Sequence, residues 1–267
     1  MSDAADGDRR VDLTVDGGVA HVRLVRAGAG NAIDPPMVRA LDDAVSACAG
    51  DAAVRAVLVS AAGPAFTVGG DLRHFRARLD RLPAELAEMI GVYHSTLVRL
   101  ADLPVPVVCA VQGPVAGGGL GLLWCADVVI AAEGARLATG FVELGLSGDG
   151  GSSWFLPRLV GLRRAREMIL HGRALTAAEA LEWGLVSKVV SRECLEAEAR
   201  EAVTRLAEGP TVAYGEMRRL LRRSLCVDLE DQLDAERQAI IRCGATADAR
   251  GAITAFAERR LPRFGGS

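Results

Sequence analysis

Two short glycine-rich segments are the places in this chain where backbone alone could do chemistry. Phe66-Thr-Val-Gly-Gly-Asp71 follows an apolar, β-branched run at residues 54–59, and Gly113-Pro-Val-Ala-Gly-Gly-Gly119 follows a similar run at residues 105–111. Glycine lets main chain approach a ligand closely and leaves its amide hydrogen unshielded. A helix that opens just past such a turn aims its unsatisfied N–H groups, and the positive end of its dipole, at whatever sits there. Two such turns that converge would hold an anion, or an oxyanion that develops during a reaction. Each taken singly also reads as a plain tight turn at a strand end. Gly117 to Gly121 does not complete the dinucleotide pattern G-x-G-x-x-G, no phosphate-loop lysine motif occurs, and Ser152 and Ser153 lie outside any G-x-S-x-G elbow. His, Cys and carboxylates show no ligand spacing, so no metal is expected.

The elements that must carry these turns are legible as periodicities. Ala20, Val22 and Leu24 alternate with His21 and Arg23, the period of a half-buried strand, and Gly17-Gly18 before them reads as a hairpin turn. Asp34 offers an N-cap, Pro35 fits a first helical position, and Met37, Leu41, Val45 and Cys48 fall at helical spacing. The apolar runs at 54–59, 105–111 and 127–131, separated by helical segments such as 83–100, predict sheets covered on both faces in an α/β arrangement. Thr176-Ala-Ala-Glu179 is a capping box. Past about residue 190 the strand signals end, and residues 194–206, 211–225, 229–243 and 249–260 read as amphipathic helices. The expected division is a core over residues 1–190 and a helical region over 191–267, packed on the core or on another subunit.

Composition narrows the partners. The 267 residues are 50% hydrophobic and 24% charged with a net charge of -3, which gives no basic face for nucleic acid. The opening MSDAADGDRR is acidic where a secretory leader needs a basic start and an apolar stretch, so a cytoplasmic location is expected. The apolar window at 115–132 contains Asp127 and a triple glycine near its start, and reads as buried loop and helix with no membrane span. Six cysteines without a CxxC pair are expected to be reduced core residues.

Taken in order, Asn31-Ala-Ile, Arg55-Ala-Val-Leu-Val, Ala65-Phe-Thr-Val-Gly-Gly-Asp71-Leu, Pro106-Val-Val-Cys-Ala-Val-Gln-Gly113, Gly117-Gly-Gly119, Leu156-Pro-Arg158-Leu-Val-Gly161, Ala178-Glu-Ala-Leu-Glu-Trp-Gly184 and Phe256-Ala-Glu-Arg-Arg resemble the crotonase (enoyl-CoA hydratase/isomerase) superfamily over nearly the whole chain. The resemblance implies an α/β fold, a spiral of ββα units with a helical C-terminal trimerisation region, and a homotrimer or dimer of trimers. It implies an acyl-CoA thioester as substrate, with coenzyme A part of that substrate and no further cofactor. The two oxyanion-hole amides fall on Gly70 and Gly118. Main-chain groups near Ala29, Val68 and Leu72 are implied for coenzyme A, and Arg259 for its phosphates, unless Arg259 is simply a solvated helix end.

The chain departs from the hydratases at both of their glutamates. The position two past the glycine triplet is Gly121, and the second falls on Phe141. A single acid, Asp149, stands where the resemblance places the aspartate of the isomerase members. Its local alternative is to cap the helix before Trp154, and Asp71 reads as the cap of a helix opening at Leu72. Glu143 ranks below Asp149, and His74 is kept as a residue bordering the pocket. His94 and His171 read as surface or satisfied core residues. The expected function is an acyl-CoA isomerase that holds a thioester enolate and moves a proton with one carboxylate, acting on an enoyl-CoA double bond or an aromatic epoxide-CoA. The alternatives are a hydratase-like or hydrolytic enzyme, and a non-catalytic CoA-binding subunit.

Overall fold

A computed structural model describes residues 9–224 and 226–267. Most of the acidic opening segment, residues 1–8, and Leu225, where one expected helix ends, lie outside the described residues. Strands β1 (Val11–Asp16) and β2 (Val19–Leu24) form the expected hairpin. Gly17 and Gly18 both take positive φ, 56° and 79°, the left-handed pair that a two-residue hairpin turn demands.

From that hairpin the chain builds a six-stranded sheet in the order β1-β2-β3-β4-β6-β9. Strands β3 (Ala56–Ala61), β4 (Val107–Val111), β6 (Val128–Ala132) and β9 (Lys188–Val190) all join in parallel. Parallel strands need long crossovers, and the crossover helices bury the sheet. On one face Val57 and Val59 enter the main core with Met37, Leu41 and Val45 of α1 (Pro35–Gly50) and Leu97 and Leu100 of α3 (Leu82–Asp102). On the other face Ala56, Leu58, Val108, Ala110 and Ile130 meet Leu195, Ala199 and Val203 of α7 (Leu195–Ala207). That two-sided burial is why these strands read as unbroken apolar runs.

A second, three-stranded sheet, β5-β7-β8, is assembled from strands of two or three residues: β5 (Val115–Ala116), β7 (Arg136–Ala138) and β8 (Leu175–Thr176). Thr67 joins its edge through a parallel bridge to Val115. Each turn of the chain therefore runs large-sheet strand, small-sheet segment, helix. After β3 come Thr67 and α2 (Leu72–Arg76), after β4 come β5 and α4 (Leu120–Trp124), and after β6 come β7 and α5 (Ser152–Leu170). This is the expected spiral of ββα units. The short strands leave no period long enough to read in advance. Within α5, Gly161 at φ 78° interrupts the helical path.

Capping follows the expectation at three sites. Asp34 accepts from Met37 N–H, Asp71 accepts from the N–H groups of Arg73 and His74, and Thr176 and Glu179 close a reciprocal box at the start of α6 (Ala177–Glu182). The remaining helices are α8 (Thr211–Arg223), α9 (Leu229–Gly244) and α10 (Ala247–Ala257). Leu220, Ala235 and Ala239 form a small cluster between α8 and α9. Arg218 ties α8 to the core through Asp127 at 2.7 Å. The cysteines correct one expectation. Cys48, Cys109 and Cys125 are buried, but Cys194 and Cys226 are exposed and Cys243 is half-buried, because they lie at a helix start, in a connection and on α9 outside the sheet core. Among the described residues no helix is long and apolar enough to cross a membrane.

Candidate active site

The two glycine turns meet because side chains and backbone pin both to the same edge. Asn31 adopts a left-handed φ of 54°, and its amide donates to the carbonyls of Ala62 and Ala65. Its own carbonyl accepts from Thr67 Oγ1 at 2.8 Å, and Thr67 Oγ1 in turn accepts from Gly69 N–H. Ile33 N–H donates to Gly69 O and Asp71 N–H donates to Ile33 O, so Gly70 is held between two bonds that do not use its own amide. Ala116 N–H donates to Thr67 O at 2.9 Å, bringing the second turn against the first. The contact is close enough that a Cβ on Gly69, which has φ 83°, would lie 2.8 Å from Ala116 O. Only glycine satisfies both the left-handed backbone and that approach.

Gly117 to Gly119 form a single 3-10 turn that runs into α4, so the amide of Gly118 sits where a helical start leaves N–H groups without acceptors. Among the described hydrogen bonds neither Gly70 N–H nor Gly118 N–H is a donor. Tyr93 of α3, fully buried, donates its hydroxyl to Gly118 O at 2.8 Å and fixes the plane of that turn. Burial pushes the Tyr93 phenol far above its ordinary range, so it stays a donor at any working pH.

These groups line one cavity of about 320 Å³. Gly70, Gly118, Phe141 and Asp149 are on its wall, with Val68, Leu72 and Glu143. Met89 and Tyr93 add apolar surface from α3. A Cβ on Gly118 would fall 2.6 Å from Asp149 Oδ1, so the carboxylate sits directly against the oxyanion-hole candidate. That oxygen is buried and has no hydrogen-bond partner. Burial raises the Asp149 pKa above its ordinary value, an effect that a positive charge on His94 would oppose. Asp149 does not cap α5: its N-cap is Gly151, without a side-chain cap, and only the Asp149 main-chain carbonyl bonds Ser152 N–H.

The departures at the glutamate positions have a steric reading. A Cβ on Gly121 would lie 2.7 Å from Gly150 O and 2.6 Å from Leu97 Cδ1, so nothing larger than hydrogen fits there without moving the loop that carries Asp149. The Phe141 ring is buried along the cavity wall. Glu143 shares the cavity, but its carboxylate lies against Gly172.

The other named residues divide. Val68 and Leu72 are exposed at the mouth, and Ala29 adjoins them through the Val68 N–H to Gly30 O bond without lining the cavity. Arg259 is exposed just past α10 at φ 56° and does not line it. His74 is turned to Glu85 and Arg78 and is not on the wall. Asp71 is structural. Burial pulls its carboxyl upward, but the guanidinium of Arg26 at 2.7 Å and the two capping N–H groups outweigh that and hold it below the usual range.

Two residues were not assigned a part in the site from sequence. Tyr93 falls in the expected helical segment at 83–100 with no local sign of its hydroxyl's role, and His94 reads as a surface or satisfied core residue. His94 in fact accepts a hydrogen bond from Gly150 N–H at 3.2 Å. It lines a second cavity of about 560 Å³ together with Asp149, Trp154 and Phe155. Asp149 is the residue the two cavities share, with Phe141 on one side and the two aromatic residues of α5 on the other. Residues 93 and 94 lie about 100° apart around α3 and so face different cavities, but nothing local says that the loop after Phe141 returns to meet them.

The chain is similar to known proteins over nearly its whole length. The family model described as Enoyl-CoA hydratase/isomerase matches residues 14–267. The chain is 35% identical to 1,2-epoxyphenylacetyl-CoA isomerase of Escherichia coli (strain K12), covering 94% of this chain and 97% of that protein. It is 31% identical to the short-chain-enoyl-CoA hydratase of Clostridium acetobutylicum, covering 94% and 95%. The crystal structure of an enoyl-CoA hydratase from Bacillus anthracis superposes with a TM-score of 0.91 at 29% identity, covering 97% of this chain and all of that one.

Proposed function

Because the chain belongs to the enoyl-CoA hydratase/isomerase (crotonase) family, we propose that it is an isomerase of acyl-CoA thioesters. The observation that carries the choice is one carboxylate on the cavity wall with a buried, unpartnered oxygen, the other acid there, Glu143, being turned against Gly172. Asp149 stands against Gly118 with one oxygen unpartnered, while Gly121 has no room for a second acid. A hydratase that must place water between two carboxylates lacks one of them here.

In this reading the thioester oxygen accepts from the Gly70 and Gly118 amides. Asp149 takes a proton from a carbon conjugated to the carbonyl, and the electron pair left behind moves onto the thioester oxygen as an enolate. The same carboxyl group then returns its proton to a different carbon of the conjugated system, the enolate collapses, and a double bond has moved with no net gain or loss of atoms. One oxyanion donor is worth roughly 3 to 4 kcal/mol to such a transition state. Burial favours the base, because a raised pKa brings the carboxyl closer to a working value near neutrality. The same proton transfers serve an enoyl-CoA, and in an aromatic epoxide-CoA they accompany cleavage of one bond of the strained ring, whose electron pair joins the conjugated system so that the product is still an isomer. Val68 and Leu72, with Ala29 behind them, are the proposed coenzyme A contacts, and Arg259 meets its phosphates from a neighbouring copy of the chain. Self-association as a trimer or dimer of trimers is part of the proposal. It is supported by exposed apolar side chains on α8, α9 and α10, among them Leu221, Ile240, Ile241 and Phe256.

The test is proton exchange. With butyryl-CoA or 3-hexenoyl-CoA in deuterium oxide, the enzyme is expected to exchange protons beside the carbonyl and to shift the double bond of the latter. Acyl-CoA binding without exchange would leave only a CoA-binding subunit. A second reading, water addition through Asp149 alone, draws on the similarity to the Clostridium hydratase. Rapid hydration of crotonyl-CoA would decide for it.

A further inference from the structure

The loop that presents the acid is built to be loose. Gly145, Gly148, Gly150 and Gly151 lie within it, and three of them take positive φ. Glycine brings backbone freedom that something else must remove. Among the described residues, His94 is the one side chain that bonds a backbone group between positions 147 and 151, through Gly150 N–H to Nε2 at 3.2 Å. An imidazole nitrogen that accepts must be bare, which places the ring proton on Nδ1 and requires the neutral form.

We propose that His94 is a positioning residue for Asp149, its neutral ring tethering the peptide that follows the acid so that the carboxylate stays against Gly118. The inference rests on the role of Asp149 given above. Protonating His94 puts a hydrogen on Nε2, abolishes the tether and frees the loop. The surrounding charges matter to the sign. His94 of α3 lines the second cavity with Asp149, Arg222 and Arg223 of α8 and Cys226, while Tyr93 lines the substrate side with Asp149, where the Glu143 carboxylate is turned to Gly172. Arg222 is held by Asp102 at 2.7 Å. A histidine cation there would also favour the ionised carboxylate, as its lowering effect on Asp149 indicates. Tether and charge thus predict opposite shifts when the ring is replaced by a group that accepts but does not titrate.

The experiment is the pH profile of deuterium exchange into 3-hexenoyl-CoA for the full chain and three variants. His94→Gln retains an acceptor for Gly150 N–H, so the plateau rate should stay within about threefold while the acid limb moves to lower pH by roughly half a unit or more. His94→Leu removes the acceptor, so kcat should fall about tenfold or more with KM changed less than about twofold, the size of one lost hydrogen bond. A Leu variant with the parent plateau, a Gln profile that superimposes on the parent, or one displaced to higher pH overturns the tether. Thermal melts check that both variants fold, and the Gln variant remains informative if the Leu variant does not. Asp149→Asn separates the layers. If exchange survives that change, the acid assignment fails and this inference with it. If exchange is lost while the His94 variants match the parent, only the tether fails.

Discussion

At the scale of single residues, Asp149 combines an energetic cost with a chemical use. Its folded-state pKa lies above the ordinary 3.8 through burial, so between those two values the folded protein binds more protons than the unfolded chain. Stability therefore falls as pH rises through that window, and the full cost is present above it. Asp149→Asn should consequently melt higher than the parent near pH 7, with the gap closing as both are taken toward pH 3.8. The same variant should lose on the order of 100-fold or more in exchange rate. Calorimetry and the exchange assay together check both halves, and a variant neither more stable nor less active would remove the case for a buried catalytic acid. Gly118→Ala makes a separate point. Its Cβ would meet Asp149 Oδ1 at 2.6 Å, so exchange should drop although the amide donor is retained. The sequence displayed these residues because backbone donors require glycine and because an acid stood out at one motif position. His94 escaped notice because its role depends on a bond to Gly150, more than fifty positions away along the chain.

At the scale of elements, the site depends on the helices and turns that hold it. Tyr93→Phe on α3 removes one donor to Gly118 O, which still accepts from Leu120 N–H, so it should cost about 0.5 to 1.5 kcal/mol in urea denaturation and loosen the oxyanion turn. Asp34 caps α1 and also meets Arg10 and Arg26, each at 3.3 Å. Asp34→Ala should destabilise by about 2 kcal/mol, with the denaturation midpoint as the measure. Caps of this kind were legible because their chemistry is local: Asp34 before Pro35, and Thr176 three residues before Glu179. The long parallel strands were legible because burial on both faces leaves a continuous apolar run. Strands β5, β7 and β8 were not, since two or three residues carry no period and their pairing is set by distant partners.

At the scale of the molecule, the sheet core is covered while the last three helices are not. Leu221, Leu233, Ile240, Ile253 and Phe256 are exposed, more apolar surface than a lone globule usually presents in one region. Sedimentation or light scattering should show an assembly of three or six copies, and Leu221→Glu with Ile240→Glu should shift it toward monomer. A monomeric parent would leave Arg259 without a neighbouring site to serve. The sequence announced the helices here from their periodicity, but periodicity reports only that one face is apolar. Whether that face meets its own core or another copy is a question of where the helix docks.

The crowding around Gly121 bears on how such enzymes can change over generations. A lone substitution there collides with the carbonyl of Gly150, so an acidic side chain is admitted only after the neighbouring loop has already been rebuilt. A second carboxylate at this position is therefore not one mutation away. Admitting one demands coordinated revision of two stretches that share no sequence neighbourhood.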